Sequence, residues 1–493
     1  MQGETLIPPN DEEFEFTPGT KSLIPYGKTR THYQPVDHWY GDAHPIYKDG
    51  KWYSYYLSLP YSTPNRGTLA GVEQGLDVSE DLINWRETKC STDNKDRKWW
   101  AVANTLVNGE LYSMFNDTLL NSGYGLSTSK DMVNFEEQGL KYPYSWVDGQ
   151  ARDPSLFYNE KDQEYWFIYA TKNSSDIYDN AQGKIYYSVT KDFQTFSTPE
   201  LLYDPGNCNI GECVEMFKLG DFYYLIMNWG TTKVGGPRYR YSSSPRGPWL
   251  RPQIDTLQST DFAAPNSCTG QEKRIAIGWT PEYANKTDNG AWAWGGVKDY
   301  PLEYYNLLDG ELRVRPAIDF TKIDGEETFS SLKDNYTYVS GDGWSKTGGS
   351  YFYGKGKSYG EMWLGEKHQF FDLTMDFTFG EDNAGLGVSF RAGNKDWNGY
   401  ELFIDPVTNQ AIFRTHFERH INIMSVPISL KRNVKNSFRL VSDGSLIECY
   451  INNEFALTSR AYLRGSEDRV GIFSEYGSAA FENISIKDLK EVY

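Results

Sequence analysis

Three short segments of the chain share one template: VSEDLINW (Val78 to Trp85), TSKDMVNF (Thr128 to Phe135) and VTKDFQTF (Val189 to Phe196). SSSPRGPW (Ser242 to Trp249) is a looser fourth copy. The terminal aromatics Trp85, Phe135, Phe196 and Trp249 lie 50, 61 and 53 residues apart. That period fits one four-stranded sheet per copy, the blade of a β-propeller, rather than a solenoid turn. The template has a physical reading. Ser or Thr followed by Asp makes a side-chain-to-backbone turn, and the terminal aromatic packs between neighbouring sheets.

Hardly any segment carries a 3.6-residue apolar period. Runs such as EYWFIYAT and FYYLIMNWG are dense in β formers and bounded by Gly, Asn and Asp, so an all-β chain is expected. A fifth unit runs from RIAIGWT to about residue 325, which makes residues 1–325 a five-bladed propeller. The polar stretch 326–339 reads as a linker. Beyond it, alternating runs such as FFDLTMDFTF, AGLGVSFRA and RVGIFSEYG, joined by Gly and Asn turns, read as a β-sandwich over 340–493.

Composition narrows the partners. With 67 Asp and Glu against 49 Lys and Arg, neither nucleic acid nor an anionic membrane is an expected partner. Aromatics make up 16% of the residues, including 37 Tyr and 15 Trp, and rings with a polar tip suit stacking on sugars. The cysteines Cys90, Cys208, Cys213, Cys268 and Cys449 are scattered and odd in number, so no disulfide framework or zinc site is indicated. The start MQGETLIPPNDEEFEF lacks a basic n-region and an apolar h-region, and no run of about 18 apolar residues follows. A soluble chain is expected, secreted if a signal peptide has been removed and otherwise cytoplasmic.

Three acids occupy related points of the repeat. Asp42 and Asp153 each lie 43 residues before their terminal aromatics, Trp85 and Phe196. Glu212 opens the first strand-like run of the next unit, 37 residues before Trp249. In a propeller the innermost strands line a central funnel, so the three should converge at one mouth. Gly211, Cys213 and Val214 set Glu212 against a buried strand, where a charged carboxylate needs a partner or a raised pKa. Converging carboxylates without His or Cys ligands suit glycosidic cleavage, in which one acid protonates the leaving oxygen and another attacks or activates water. No metal and no cofactor are expected.

Arg152-Asp153-Pro154, followed some sixty residues later by Glu212-Cys213, resembles the paired signatures of glycoside hydrolase family 32, the invertases, inulinases and levanases. GLDVSEDLINWRE, YGLSTSKDMVNF, RIAIGWT and WGGVKDYPLE are similar to further family segments in the same order, and SDGSLIECYINNEFALTSRAY resembles the family's C-terminal sandwich. The likeness covers almost the whole chain. It implies Asp42 as nucleophile, Glu212 as general acid and base, and Asp153 as transition-state stabiliser, in a retaining double displacement on a β-fructofuranoside. It also implies that Arg152 orients the two later acids, and that Trp39, Trp99, Trp100 and Trp279 wall the sugar pocket.

The nucleophile motif departs from the family pattern Trp-Met-Asn-Asp-Pro-Asn-Gly. Here Trp39-Tyr40-Gly41-Asp42-Ala43-His44-Pro45 keeps only the Trp and the Asp in register. The family's Asn before the nucleophile becomes Gly41, and its Gln at the end of that strand becomes Leu57, while His44 offers a replacement hydrogen bond. A rearranged sugar pocket is expected. The expected partner is a fructose-containing oligo- or polysaccharide such as levan, inulin or sucrose, bound by a monomer or homodimer. The alternatives are a fructosyltransferase, an arabinofuranosidase-like five-bladed hydrolase and a non-catalytic sugar-binding protein.

Overall fold

The computed structural model describes residues 29–63, 72–92, 99–117, 123–143, 150–172, 183–206, 211–229, 236–257, 259–354, 358–393, 399–416, 420–462 and 468–493. Cys208 and the sequence start lie outside them. The template segments are turns held by side chains. Ser79 Oγ accepts from the Leu82 N–H at 2.9 Å, and Asp81 Oδ1 accepts from Ile83 and Asn84 at 3.1 and 2.8 Å. Asp131 and Asp192 repeat the pattern with Val133 and Asn134, and with Gln194 and Thr195. The residue after each Asp, Leu82, Met132 or Phe193, has a positive φ of 67, 71 or 56°. The short side-chain acceptors satisfy N–H groups that this left-handed step leaves without a ladder partner.

Each turn closes a meander of antiparallel strands. The first runs His38–Lys48, Lys51–Pro60, Glu73–Ser79, Arg86–Thr88. The second runs Trp99–Val107, Glu110–Asp117, Gly123–Ser129, Asn134–Pro143. The third runs Gln150–Asn159, Glu164–Lys172, Lys184–Thr190, Glu200–Tyr203. Gly211–Leu219, Phe222–Trp229 and Pro237–Ser242 form the fourth, extended by bridges at Arg238–Thr256 and Tyr241–Leu250. Ala263–Gly270, Lys273–Tyr283, Leu302–Asn306 and Leu312–Pro316 form the fifth. We read the five meanders as five blades of the propeller. The first and fifth are joined into one sheet through the strand Trp292–Lys298, where Gly296 pairs with Tyr40.

The terminal aromatics do what the template requires. Phe135 packs among Ile46, Tyr55 and Leu76 of the first meander and Val102, Leu111 and Phe115 of the second. Phe196 joins the cluster between the second and third, and Trp249 that between the third and fourth.

By its contacts the chain divides into two units, residues 32–281 with 294–318, and the described residues 29–31, 282–293 and 319–493. The second is a β-sandwich of an eight-stranded and a seven-stranded sheet. Along Phe371–Phe379 the residues Phe371, Leu373, Met375, Phe377 and Phe379 are all buried in its core, the period-2 pattern of a strand with one face inward. Residues 326–339, expected as a linker, instead contribute paired strands. Asp324–Ser330 pairs with Ala479–Leu489, and Tyr336–Ser340 with Tyr359–Lys367. Glu326, Glu327 and Thr328 are exposed in a strand paired only with Ala479–Leu489, and composition alone does not separate such an exposed strand from a linker. Among the described residues helix is confined to short 3-10 turns such as Phe320–Lys322, and none is long and apolar enough to cross a membrane.

Candidate active site

The first strand of every meander is interrupted by a bulge at a comparable place: Gly41 to His44, Trp100 to Val102, Arg152 to Ser155, Glu212 to Glu215 and Ala263 to Asn266. Four residues within these bulges take a positive φ: Asp42 (41°), Asp153 (49°), Cys213 (48°) and Ala264 (43°). A bulge with a left-handed residue turns a side chain out of the pleat, and holding non-glycine residues there costs strain that surrounding structure must offset. Asp42 and Asp153 therefore occupy the same structural point, as their equal spacing to the terminal aromatics predicts. Both lie inside strands, although each reads locally as a turn residue. Pro154, which has no N–H to give to the ladder, is accommodated at the bulge. Glu212 stands one residue before the equivalent point, which Cys213 takes.

Polar contacts tie three of these residues together. Arg152 places Nε 3.3 Å from Asp153 Oδ2 and Nη1 3.1 Å from Glu212 Oε1. The Cys213 N–H donates to the same Asp153 oxygen at 3.3 Å. The partner that a carboxylate at position 212 requires is thus Arg152, which remains half-exposed, whereas the two acids are largely covered.

Asp42 is held differently. Trp279 Nε1 donates to Oδ1 at 3.0 Å and Trp294 Nε1 donates to Oδ2 at 3.2 Å. Burial and the charge of Asp153 push its carboxyl up to about 6, against the opposing pull of the two indole donors and Arg152.

The remaining candidates divide. His44 is 7% exposed and its Nε2 has no hydrogen-bond partner among the described residues. Burial pushes its imidazole down to about 4 despite Asp153, so the ring is neutral near pH 7. Trp39 is half-buried, with its ring 4.5 Å from that of Tyr61. Trp99 and Trp100 begin the first strand of the second meander, but their side chains lie outside the described set. Trp279 departs from expectation. At 1% exposure it presents no open face to a sugar, and its polar edge goes to Asp42. Leu57 lies opposite Gly41 in the ladder and is buried.

Trp294 is the residue that reading the sequence passed over, although it opens the family-like segment WGGVKDYPLE. The signal was Gly41. A Cβ at position 41 would sit 2.3 Å from the Trp294 ring, so the missing side chain and the indole are two halves of one arrangement.

Glu401, His420 and Glu475 of the sandwich bring ligand-type atoms within 4.8 Å of one another. Arg414 already pairs with both carboxylates there, with Nε 2.6 Å from Glu401 and Nη2 2.7 Å from Glu475.

Comparison with known proteins gives consistent results. A family model described as "Glycosyl hydrolases family 32 C terminal" matches residues 349–488, and one described as "Probable glycosyl hydrolase domain" matches residues 92–293. The chain is 20% identical to the raffinose invertase of Escherichia coli over 478 residues, 91% of this chain and 92% of that protein. It is 21% identical to the sucrose-6-phosphate hydrolase of Escherichia coli over 485 residues, 92% and 93% of the two chains. The crystal structure of exo-inulinase from Aspergillus awamori superposes with a TM-score of 0.68 at 12% identity, covering 95% of this chain and all of that one. That last likeness is one of fold.

Proposed function

We propose that the chain is a member of glycoside hydrolase family 32, a retaining β-fructofuranosidase acting on fructans of the levan or inulin type or on sucrose. The observation that carries the reading is the pairing of equivalent bulges: Asp42 and Asp153 project from the same point of two first strands, and Arg152 ties Asp153 to Glu212.

In the proposed first step a carboxylate oxygen of Asp42 attacks the anomeric carbon of the fructosyl unit. The bond to the leaving oxygen breaks, and that oxygen takes the proton of Glu212. In the second, Glu212 removes a proton from water, water attacks the anomeric carbon, and Asp42 leaves as a carboxylate. Asp153 accepts hydrogen bonds from sugar hydroxyls as charge builds on the ring. His44 is buried and neutral, and its Nε2 has no hydrogen-bond partner among the described residues.

Asp42 attacks only when ionised, so activity should fall as pH drops through about 6. Arg152 Nη1 stands 3.1 Å from Glu212 Oε1, which positions the carboxyl that the proposed reaction uses to protonate the leaving oxygen.

The test is incubation with levan, inulin, sucrose and an arabinan, scoring released fructose, oligomers, transfer products and arabinose. Fructose from any fructoside supports the reading. Arabinose alone, or binding without turnover, overturns it. Azide separates the roles: Asp42→Gly with azide should give a fructosyl azide of inverted configuration and Glu212→Gly one of retained configuration, and the opposite outcome exchanges them.

A further inference from the structure

Both oxygens of Asp42 are held by indole N–H groups from a strand and an excursion of the fifth meander. Trp279 lies on Lys273–Tyr283 and Trp294 on Trp292–Lys298, with their rings 5.6 Å apart. An indole N–H is a donor only, so it can pair with a carboxylate but offers nothing to a carboxylic acid's proton. Trp294 also fills the volume that a side chain at position 41 would need: three of its ring atoms lie at 2.3–3.0 Å from an ideal Cβ there. The ring and the glycine exclude one another's alternatives.

We propose that Trp294, with Trp279, is a positioning residue for the nucleophile: the two indoles fix the direction of the Asp42 carboxylate and favour its ionised form, and Gly41 is required because Trp294 stands where its side chain would be. The proposal rests on the reading of Asp42 as nucleophile. A carboxylate at a strained bulge, with burial and a neighbouring acid acting against its charge, otherwise has little to keep it deprotonated or aimed. The titratable groups bearing on it are Asp153 and Arg152 from the third meander and Cys213 from the fourth. Of these only Arg152 is a cation, and it is committed to Asp153 and Glu212. The indoles therefore supply the direct donors.

Trp294→Phe keeps the ring against Gly41 and removes the N–H, and Trp279→Phe does the same for the other oxygen. The first readout needs no substrate. The stability difference between each background and the same background carrying Asp42→Asn is followed against pH, and the pH at which it levels off on the alkaline side reports the Asp42 pKa of the folded chain. A lost hydrogen bond to a charged group should move that alkaline bend up by about one unit or more. The second readout is the acid limb of kcat on a fructoside, which should move with it while KM changes little. An alkaline bend that stays in place in both single variants overturns the proposal. Gly41→Ala should shift the bend in the same direction in the wild-type background and add nothing once Trp294→Ala has emptied the space. Additive effects would show that glycine and indole act independently, contrary to the proposal. If the wild type turns over no furanoside, the proposed reaction fails, and the substrate-free titration still decides the clamp.

Discussion

At the scale of single residues, Asp42 joins function to a cost in stability. Its carboxyl is pushed up to about 6 from an ordinary value of 3.8, so between those two pH values the folded chain holds more proton at this site than the unfolded chain does. Stability contributed by this group is therefore present at low pH and lost as pH rises through the window, by about 3 kcal/mol when converted at 1.36 kcal/mol per unit. Asp42→Asn removes the titration. The variant should lose turnover, and its stability relative to wild type should rise by about that amount between pH 4 and pH 8, measured by denaturant unfolding at fixed salt. A flat difference across that range would mean that the site is more solvated than its geometry indicates. The amide nitrogen of Asn faces one indole N–H, donor against donor, which lowers the whole curve without changing its slope. Glycine-for-asparagine at position 41 looks like a loss in sequence. In space the Trp294 ring fills the volume of a side chain at position 41, and its N–H goes to Asp42.

At the scale of elements, the template turn is a local device and should behave as one. Asp131 accepts from the N–H groups of Val133 and Asn134, and these donors pull its carboxyl down to about 2. Asp131→Ala leaves those N–H groups to water and removes the staple around left-handed Met132, at a cost of about 1 kcal/mol. The midpoint of denaturant unfolding should fall accordingly while kcat stays within twofold, since the turn lies on the side of the meander away from the acids' bulges. These turns were legible in the sequence because the Ser, Thr and Asp that make them act on backbone two or three residues away. The bulges were not. A bulge is defined by one strand holding an extra residue relative to its partner, and nothing in RDPSL or GDAHP shows which residue will be the unpaired one. Equal spacing to the terminal aromatics located Asp42 and Asp153 all the same. The strands within 326–339 differ from a linker only in their pairing, since an exposed strand at a sheet edge shares a linker's polar composition.

At the scale of the whole propeller unit, closure depends on contacts between the first and last meanders. Lys298 reaches Asp77 with Nζ 2.5 Å from Oδ2, both essentially without solvent, and its ammonium lies 3.3 Å from the centroid of a Trp85 ring. Burial pushes the Asp77 carboxyl up and the Lys298 amine down, each opposed by the charge of the other. Removing one partner strands a charge, so Lys298→Met should cost about 3–5 kcal/mol, whereas Lys298→Met combined with Asp77→Leu should recover most of it. A double variant as unstable as the single would place the loss in the ring contacts around Lys298 instead.

What the sequence determined by itself was whatever propagates through the chain over short distances or repeats at a fixed period: β content, meander spacing, template turns, sandwich alternation, and the three acids set at comparable points. Only the tertiary structure decided which side chain meets which. Trp294 and Gly41 stand 253 residues apart in the chain and share one volume, Trp279 spends its polar edge on Asp42 rather than on an open pocket wall, and Arg152 bridges two acids 59 residues apart. The indole pairings arise where the last strands of the ring meet its first, and the Arg152 pairing where neighbouring meanders meet; close packing allows a space to hold either a side chain or a neighbour's ring but not both.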